Sequence, residues 1–214
     1  TTLFRSLVQS NLDTAVAAGV RAASSAEEAV SGADAVITML PSGAAVKSVY
    51  DAVLPHATPG QLFIDSSTIS VEDARAVHKQ AVDVGLMQLD APVSGGVKGA
   101  TAGTLAFMVG GDTAALAAAR PILAPMAGKV VACGGSGNGQ AAKLCNNMIL
   151  AVQQIAVGEA FALAEKLGLE DQALYDVVTG ATGNCWALQT NCPVPGPVET
   201  SPANNEFRPG FATA

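Results

Sequence analysis

The sequence has no basic cluster, no long uninterrupted apolar run and no paired cysteines, and each absence closes off a class of function. Eleven lysines and arginines face 18 aspartates and glutamates, for a net charge of −7. Without a concentrated positive face, nucleic acid is not a partner this chain is built for. No apolar run approaches the ~18–20 residues that a membrane span needs, so a membrane is not expected either. The four cysteines (Cys133, Cys145, Cys185 and Cys192) form no CxxC pair and have no zinc-ligand spacing with His56 or His78. That excludes a metal centre and leaves free thiols in a reducing compartment. The first ten residues, TTLFRSLVQS, lack the charged-then-apolar layout of a signal peptide, and the first is not methionine, which points to a segment upstream. What remains is 50% hydrophobic and only 14% charged, a composition that packs a sizeable core and argues against disorder.

Short β-type runs alternate with helical runs through the first two thirds. DAVITML (34–40), QLFID (61–65), LMQLD (86–90), TLAFMVG (104–110) and KVVAC (129–133) read as strands. Ser25 with Glu28 forms a capping box before the first of these. A helical stretch after Pro41 runs to about Val53, and Ser70 with Asp73 opens a helix that Gly85 stops. Another helix at about 112–124 separates the last two strands. Such alternation implies βαβ units and a largely parallel sheet, with ligands beyond the carboxyl ends of the strands. That rule selects Met39–Leu40–Pro41, Asp65–Ser66–Ser67–Thr68 and the stretch from Asp90 to Gly96. From Gly134 the character changes to GGSGNG, a flexible connector that fits neither GxGxxG nor the P-loop pattern. Helices at about 138–167 and 170–179 follow, then a proline- and asparagine-rich, irregular end. The expected organisation is a dinucleotide-binding domain over 1–134 and a helical domain over 135–214.

Two stretches can carry chemistry. In DAPVSGG, Ser94 offers a hydroxyl, and Gly95 and Gly96 let backbone N–H groups approach an anion such as a carboxylate; a tight turn between strands has the same composition. Lys143 and Asn147 stand four apart on the long helix, with Gln140 and Gln154 on roughly the same side. A solvated face is one reading. The apolar flanks favour a half-buried lysine that exchanges protons near neutrality, with Asn147 orienting the amine or a substrate hydroxyl. Trp186 and Phe211 read as core or wall residues, and the two histidines are given no role.

Together DSSTIS, DAPVSGGVKGATAGTLAFMVGG, GNGQAAKLCNNM and NCPVPG…SPANNEFRPGF resemble the β-hydroxyacid dehydrogenase family, and the last resembles its 3-hydroxyisobutyrate dehydrogenase branch. The resemblance covers essentially the whole chain. It implies an α/β Rossmann-type domain followed by part of an all-α domain, and an NAD-dependent oxidation of 3-hydroxyisobutyrate to methylmalonate semialdehyde, a step of valine breakdown. Reductases of tartronate semialdehyde, glyoxylate or succinic semialdehyde are the alternative within the family, and a non-catalytic truncated relative is the alternative outside it. By the same resemblance Lys143 is the catalytic base, Asn147, Ser94, Gly95 and Gly96 hold substrate, Trp186 closes the pocket, and Leu40, Pro41 and Thr68 contact the cofactor. A homo-oligomer is implied, in the cytoplasm of a bacterium or the mitochondrial matrix of a eukaryote.

Two departures stand beside this. The family's first strand and its GxGxxG turn, which cradles the pyrophosphate at a helix N-terminus, have no match here. An acidic ribose-binding residue is likewise missing; Arg5 nearby suits the 2′-phosphate of NADP, which keeps NADP beside NAD as the cofactor. Because the missing strand is central, its neighbours are expected to lose their ladder partner. At the other end, the family's further helices, with a second functional lysine, are not matched.

Overall fold

A computed structural model describes residues 2–207, in which the chain divides into two compact units, 1–143 and 144–214. The first unit begins with β1 (Leu3–Phe4), α1 (Gln9–Ala17) and β2 (Arg21–Ala22), in which the two strands pair in parallel as a sheet of their own. Then come α2 (Ala26–Val30), β3 (Ala35–Thr38), α3 (Gly43–Val53), β4 (Leu62–Asp65), α4 (Val71–Asp83) and β5 (Met87–Asp90). They are followed by β6 (Val93–Ser94), α5 (Gly96–Ala102), β7 (Leu105–Gly111), α6 (Thr113–Leu123) and β8 (Ala127–Gly134). The helix starts follow their caps. Ser25, Ser42 and Ser70 each accept the backbone N–H three residues on, satisfying donors that the first helical turn leaves free. The reciprocal arm of the expected capping box is shifted, since the Glu28 carboxylate accepts from Ser24 N at 2.7 Å.

The main sheet has six strands in the order β3-β4-β5-β7-β6, with β8 paired to β7. The strands β3, β4 and β5 are parallel, as are β7 and β8, but β7 runs antiparallel to β5 and β6. The Rossmann-type expectation holds for the α/β class and for most of the pairings. The antiparallel join, β6 and α5 lie in the glycine-rich stretch that periodicity could not divide. No ladder joins the β1–β2 sheet to the main sheet, and β3 forms its edge among the described residues.

Side-chain alternation on β4 sorts the two layers. Leu62 and Ile64 enter the core built with Leu89, Val109 and Leu123, while Phe63 enters the opposite core with Val46, Tyr50 and Val77. A fully buried residue such as Phe63 or Ile64 contributes ~1.5–3 kcal/mol, so this doubly covered strand anchors the unit.

The helix α7 (Asn138–Leu167) starts in the first unit and runs into the second. Against the expectation from the sequence, it is long and apolar enough, by length and composition alone, to cross a membrane. A core helix passes the same test, and Val157 and Phe161 of α7 are buried in the second unit's own core. That core also takes Ala187 and Leu188 from α9 (Trp186–Thr190), with Leu174 and Val178 of α8 (Asp171–Thr179) packed against it. Between α9 and residue 207 the chain is irregular except for a 3₁₀ turn at Pro202–Asn205, and Phe211 lies outside the described residues.

Candidate active site

Three loops meet at the carboxyl ends of β3, β4 and β5, and buried polar side chains tie them together. In the first two, Leu40 N donates to Ser67 Oγ at 2.9 Å. Ser67 Oγ in turn donates to Asp65 Oδ1 at 2.6 Å, and Thr38 Oγ1 donates to the same oxygen at 2.8 Å. Asp65 is fully buried at the last position of β4. Burial pushes its carboxyl above the usual carboxylate range, against the opposing pull of Ser67 and Thr38. Along residues 61–69 only Thr68 is exposed, projecting from between buried Ser67 and Ile69, and Pro41 is exposed on the neighbouring loop with Leu40 half-buried.

The third loop is joined to α7. Asp90 accepts from Gly137 N at 2.7 Å and from Gln140 N at 3.0 Å, so a carboxylate 47 residues upstream caps the helix. Its carboxyl is also raised, by burial first, with the backbone donors of Gly137 and Gln140 pulling the other way. GGSGNG is therefore pinned rather than loose. Arg75 Nε reaches Ser136 O, Asn138 Nδ2 reaches Cys133 O, and Gly139 sits so close to the Met108 carbonyl that a Cβ there would overlap it.

Lys143, in the second turn of α7, is half-buried and donates from Nζ to Val93 O at 2.8 Å. Burial lowers its proton affinity below that of an ordinary lysine. The amine is thus held one residue from Ser94. Gly95 and Gly96 follow with φ of 130° and 59°, which L side chains rarely adopt, and a Cβ at Gly95 would sit 3.2 Å from Leu105 Cδ2. Both glycines are exposed, and no side chain caps the start of α5 at Gly95. Lys143, the Ser94–Gly96 turn, Leu40 and Thr68 are all brought into one bonded framework of the first unit.

The other two sequence candidates belong to the second unit. Asn147, one turn beyond Lys143 on α7, is exposed and accepts from Asn146 Nδ2 at 3.3 Å. Trp186 opens α9 and is 52% exposed, ahead of buried Ala187 and Leu188, so it is not a core residue of that unit. Sequence reasoning put Asp65, Ser67 and Asp90 in the loops at the strand ends and Gln140 on the side of Lys143, but gave none of them a role. The signal for the two aspartates was that each ends a strongly apolar strand, where a carboxylate must find donors.

A dinucleotide can be tested against this framework. The Leu40–Pro41 and Ser67–Thr68 loops, bonded to each other through Ser67, offer apolar side chains and an exposed hydroxyl, groups that a flat ring can use. For the pyrophosphate, no GxGxxG turn occurs anywhere in the 214 residues. The residues present fit the nicotinamide end.

Comparison with known proteins finds matches along almost the whole chain. A family model described as the NAD binding domain of 6-phosphogluconate dehydrogenase matches residues 2–135. One described as NAD-binding of NADP-dependent 3-hydroxyisobutyrate dehydrogenase matches residues 137–214. A probable 3-hydroxyisobutyrate dehydrogenase of Mycobacterium tuberculosis is 68% identical over 200 residues, covering 94% of this chain and 68% of the relative. An NAD-dependent L-serine dehydrogenase of Pseudomonas aeruginosa is 48% identical, covering 96% of this chain and 70% of the relative. Among solved structures, the M. tuberculosis 3-hydroxyisobutyrate dehydrogenase with L-serine superposes with a TM-score of 0.92 at 66% identity, over 96% of this chain and 70% of that one.

Proposed function

The chain belongs to the β-hydroxyacid dehydrogenase family, and from that membership we propose that it carries the reaction centre of an NAD-dependent oxidation of 3-hydroxyisobutyrate to methylmalonate semialdehyde, in valine breakdown. One observation carries the reading. In an apolar helix, a half-buried lysine of lowered proton affinity is tethered beside a serine–glycine–glycine turn.

The chemistry divides between the residues as follows. NAD, held at its nicotinamide by Leu40, Pro41 and Thr68, would supply the hydride acceptor for the hydroxyl-bearing carbon. Lys143 Nζ, in its neutral form, takes the hydroxyl proton, and the ammonium so formed stabilises the alkoxide charge that develops as the proton leaves. Ser94 Oγ and the N–H groups of Gly95 and Gly96 hold the carboxylate, which fixes the distance from that anchor to the reacting carbon. Asn147, a turn beyond Lys143, hydrogen-bonds substrate, and Trp186 closes over it. Leu40, Pro41 and Thr68 hold the nicotinamide. NADP is kept beside NAD, since Arg5 is a cation with no acidic neighbour in its sequence stretch.

The domain reading assigns 1–134 to the dinucleotide and 135–214 to substrate and to subunit contact. A homo-oligomer suits the apolar residues that α7 leaves exposed, such as Met148, Val152 and Ile155. The compartment follows the source, cytoplasm in a bacterium or matrix in a mitochondrion.

A second substrate reading, L-serine, is favoured by the serine dehydrogenase relative and by the structure that contains L-serine. Both acids place a hydroxyl on the carbon β to a carboxylate, so the same turn and the same lysine serve either.

Titration with NAD and NADP by calorimetry, then turnover with 3-hydroxyisobutyrate and L-serine followed by NADH absorbance, tests the reading. Lys143→Met should lower kcat by about 10²–10⁴-fold while leaving NAD affinity within a factor of three, the span expected for loss of a general base. Near-normal turnover by that variant overturns the assignment of the base.

A further inference from the structure

Gln140, like Asp65, is fully buried at 0% exposure, and three hydrogen bonds tie it to the framework. Its Nε2 donates to Ser67 O at 2.7 Å and its Oε1 accepts from Ile69 N at 3.1 Å. Its own backbone N–H goes to Asp90 Oδ2 at 3.0 Å. The two side-chain bonds grip the peptide groups on either side of Thr68, as a neighbouring strand would grip an extended residue. Ser67 and Ile69 are buried by this arrangement, and Thr68 is left facing outward. Three residues further along the same helix, roughly 4.5 Å in axial rise, stands Lys143.

We propose that Gln140 is a positioning residue for hydride transfer, clasping the backbone around Thr68 and so setting the spacing between the nicotinamide-side loop and the base Lys143. This rests on the reading of Thr68 and Lys143 given above. The clasp needs an amide. A carboxylate can accept from Ile69 N but turns a second acceptor towards Ser67 O, and an asparagine is one methylene too short to reach both. A neutral carboxylic acid, by contrast, donates through its hydroxyl and accepts through its carbonyl, reproducing both bonds. Gln140→Glu is therefore a clasp that opens when ionised and closes when protonated, and burial raises the pH at which it closes.

The test compares wild type, Gln140→Met and Gln140→Glu, each verified as folded by circular dichroism. Two readouts are used: exchange of the Ile69 amide by hydrogen–deuterium mass spectrometry or NMR, and NADH affinity by nicotinamide fluorescence at pH 5.5 and 8. Ile69 exchange should accelerate by about tenfold in Gln140→Met at both pH values, the loss of one net hydrogen bond. In Gln140→Glu it should accelerate only at pH 8, relative to wild type at the same pH. NADH affinity should follow the same pattern, with recovery at pH 5.5 in the glutamate variant alone. Wild-type exchange in both variants at pH 8 overturns the clasp. So does faster exchange with NADH affinity and turnover unchanged, since that is a local structural role without positioning. If the methionine variant does not fold, the pH-dependent recovery of the glutamate variant decides. If wild type itself binds no NADH, the functional reading fails, and with it the positioning role, whereas unchanged binding in wild type beside a defect confined to the variants isolates Gln140.

Discussion

Asp65 ends β4 with its two carboxylate oxygens unequally served. Oδ1 accepts from Thr38 Oγ1, Ser67 N and Ser67 Oγ, whereas Oδ2 finds no hydrogen-bond partner among the described residues. An ionised carboxylate here is held by donors on one side and penalised by burial on the other, and burial wins, raising its pKa. The folded value thus lies above the unfolded one of about 3.9, so the stability this group contributes is full below that pH and is lost as pH rises through the folded value. Urea midpoints of the wild type should fall as pH is raised from about 4 towards neutrality, and Asp65→Asn should flatten part of that slope. Asp90, raised for the same first reason, adds to that slope. A slope identical in wild type and variant would remove Asp65 as its source. At this scale the sequence was half legible. Lys143 stood out as a charge with apolar flanks. Gln140, close to a lysine and two asparagines, had the look of a solvated face, and nothing local announced that its amide would reach Ser67 and Ile69, some seventy residues upstream.

The start of α7 shows what an element can hide. Glycine in a helix interior costs roughly 1 kcal/mol relative to alanine, so Gly→Ala normally stabilises. Gly158, about two thirds of the way along α7, has nothing within 4 Å of an added Cβ, and Gly158→Ala should gain about 0.5–1 kcal/mol. Gly139, near the N-terminus of the same helix, would drive its Cβ into the Met108 and Asp90 carbonyl oxygens. Its neighbour across the contact, Gly110, is equally closed, since a Cβ added there would sit 2.7 Å from Gly139 N. Backbone opposes backbone here, with no flexible side chain to yield, so Gly139→Ala should cost about 1–3 kcal/mol despite its better propensity. Chemical denaturation of the two variants measures the opposite signs, and a stabilising Gly139→Ala would show that the helix start can retreat. Read as a sequence, GGSGNG suggests freedom. Its rigidity comes from Asp90, Met108 and Arg75, none of them near it in the chain.

Across the whole molecule, the elements with clear periodicity and capping, from Ser25 to Leu123, fell where the pattern put them, because local rules suffice for βαβ units. Strand direction did so too except at β7, which turns antiparallel to β5 and β6 through a glycine-rich stretch whose pairing is settled by tertiary contacts. The separate β1–β2 sheet is the other feature of this scale. Its strands have two residues each, and α1 buries no side chain. A two-stranded sheet without a covering layer is marginal in water, whereas β4 is buried on both faces. Native-state hydrogen exchange should accordingly find the amides of residues 3–22 opening at least about 100-fold more readily than those of β4, as expected for a segment at the low end of local stability. Equal protection in both would show that the small sheet unfolds only with the rest.

For a protease the same feature amounts to an invitation. The opening βαβ segment offers cleavable backbone whenever it frays, and the next firmly packed point is Ala23, 4% exposed, followed by the cap at Ser25. Trimming would halt there, and the shortened chain would keep every residue assigned above to substrate, base and nicotinamide, parting only with Arg5, the residue that bears on the choice between two phosphate forms of one cofactor.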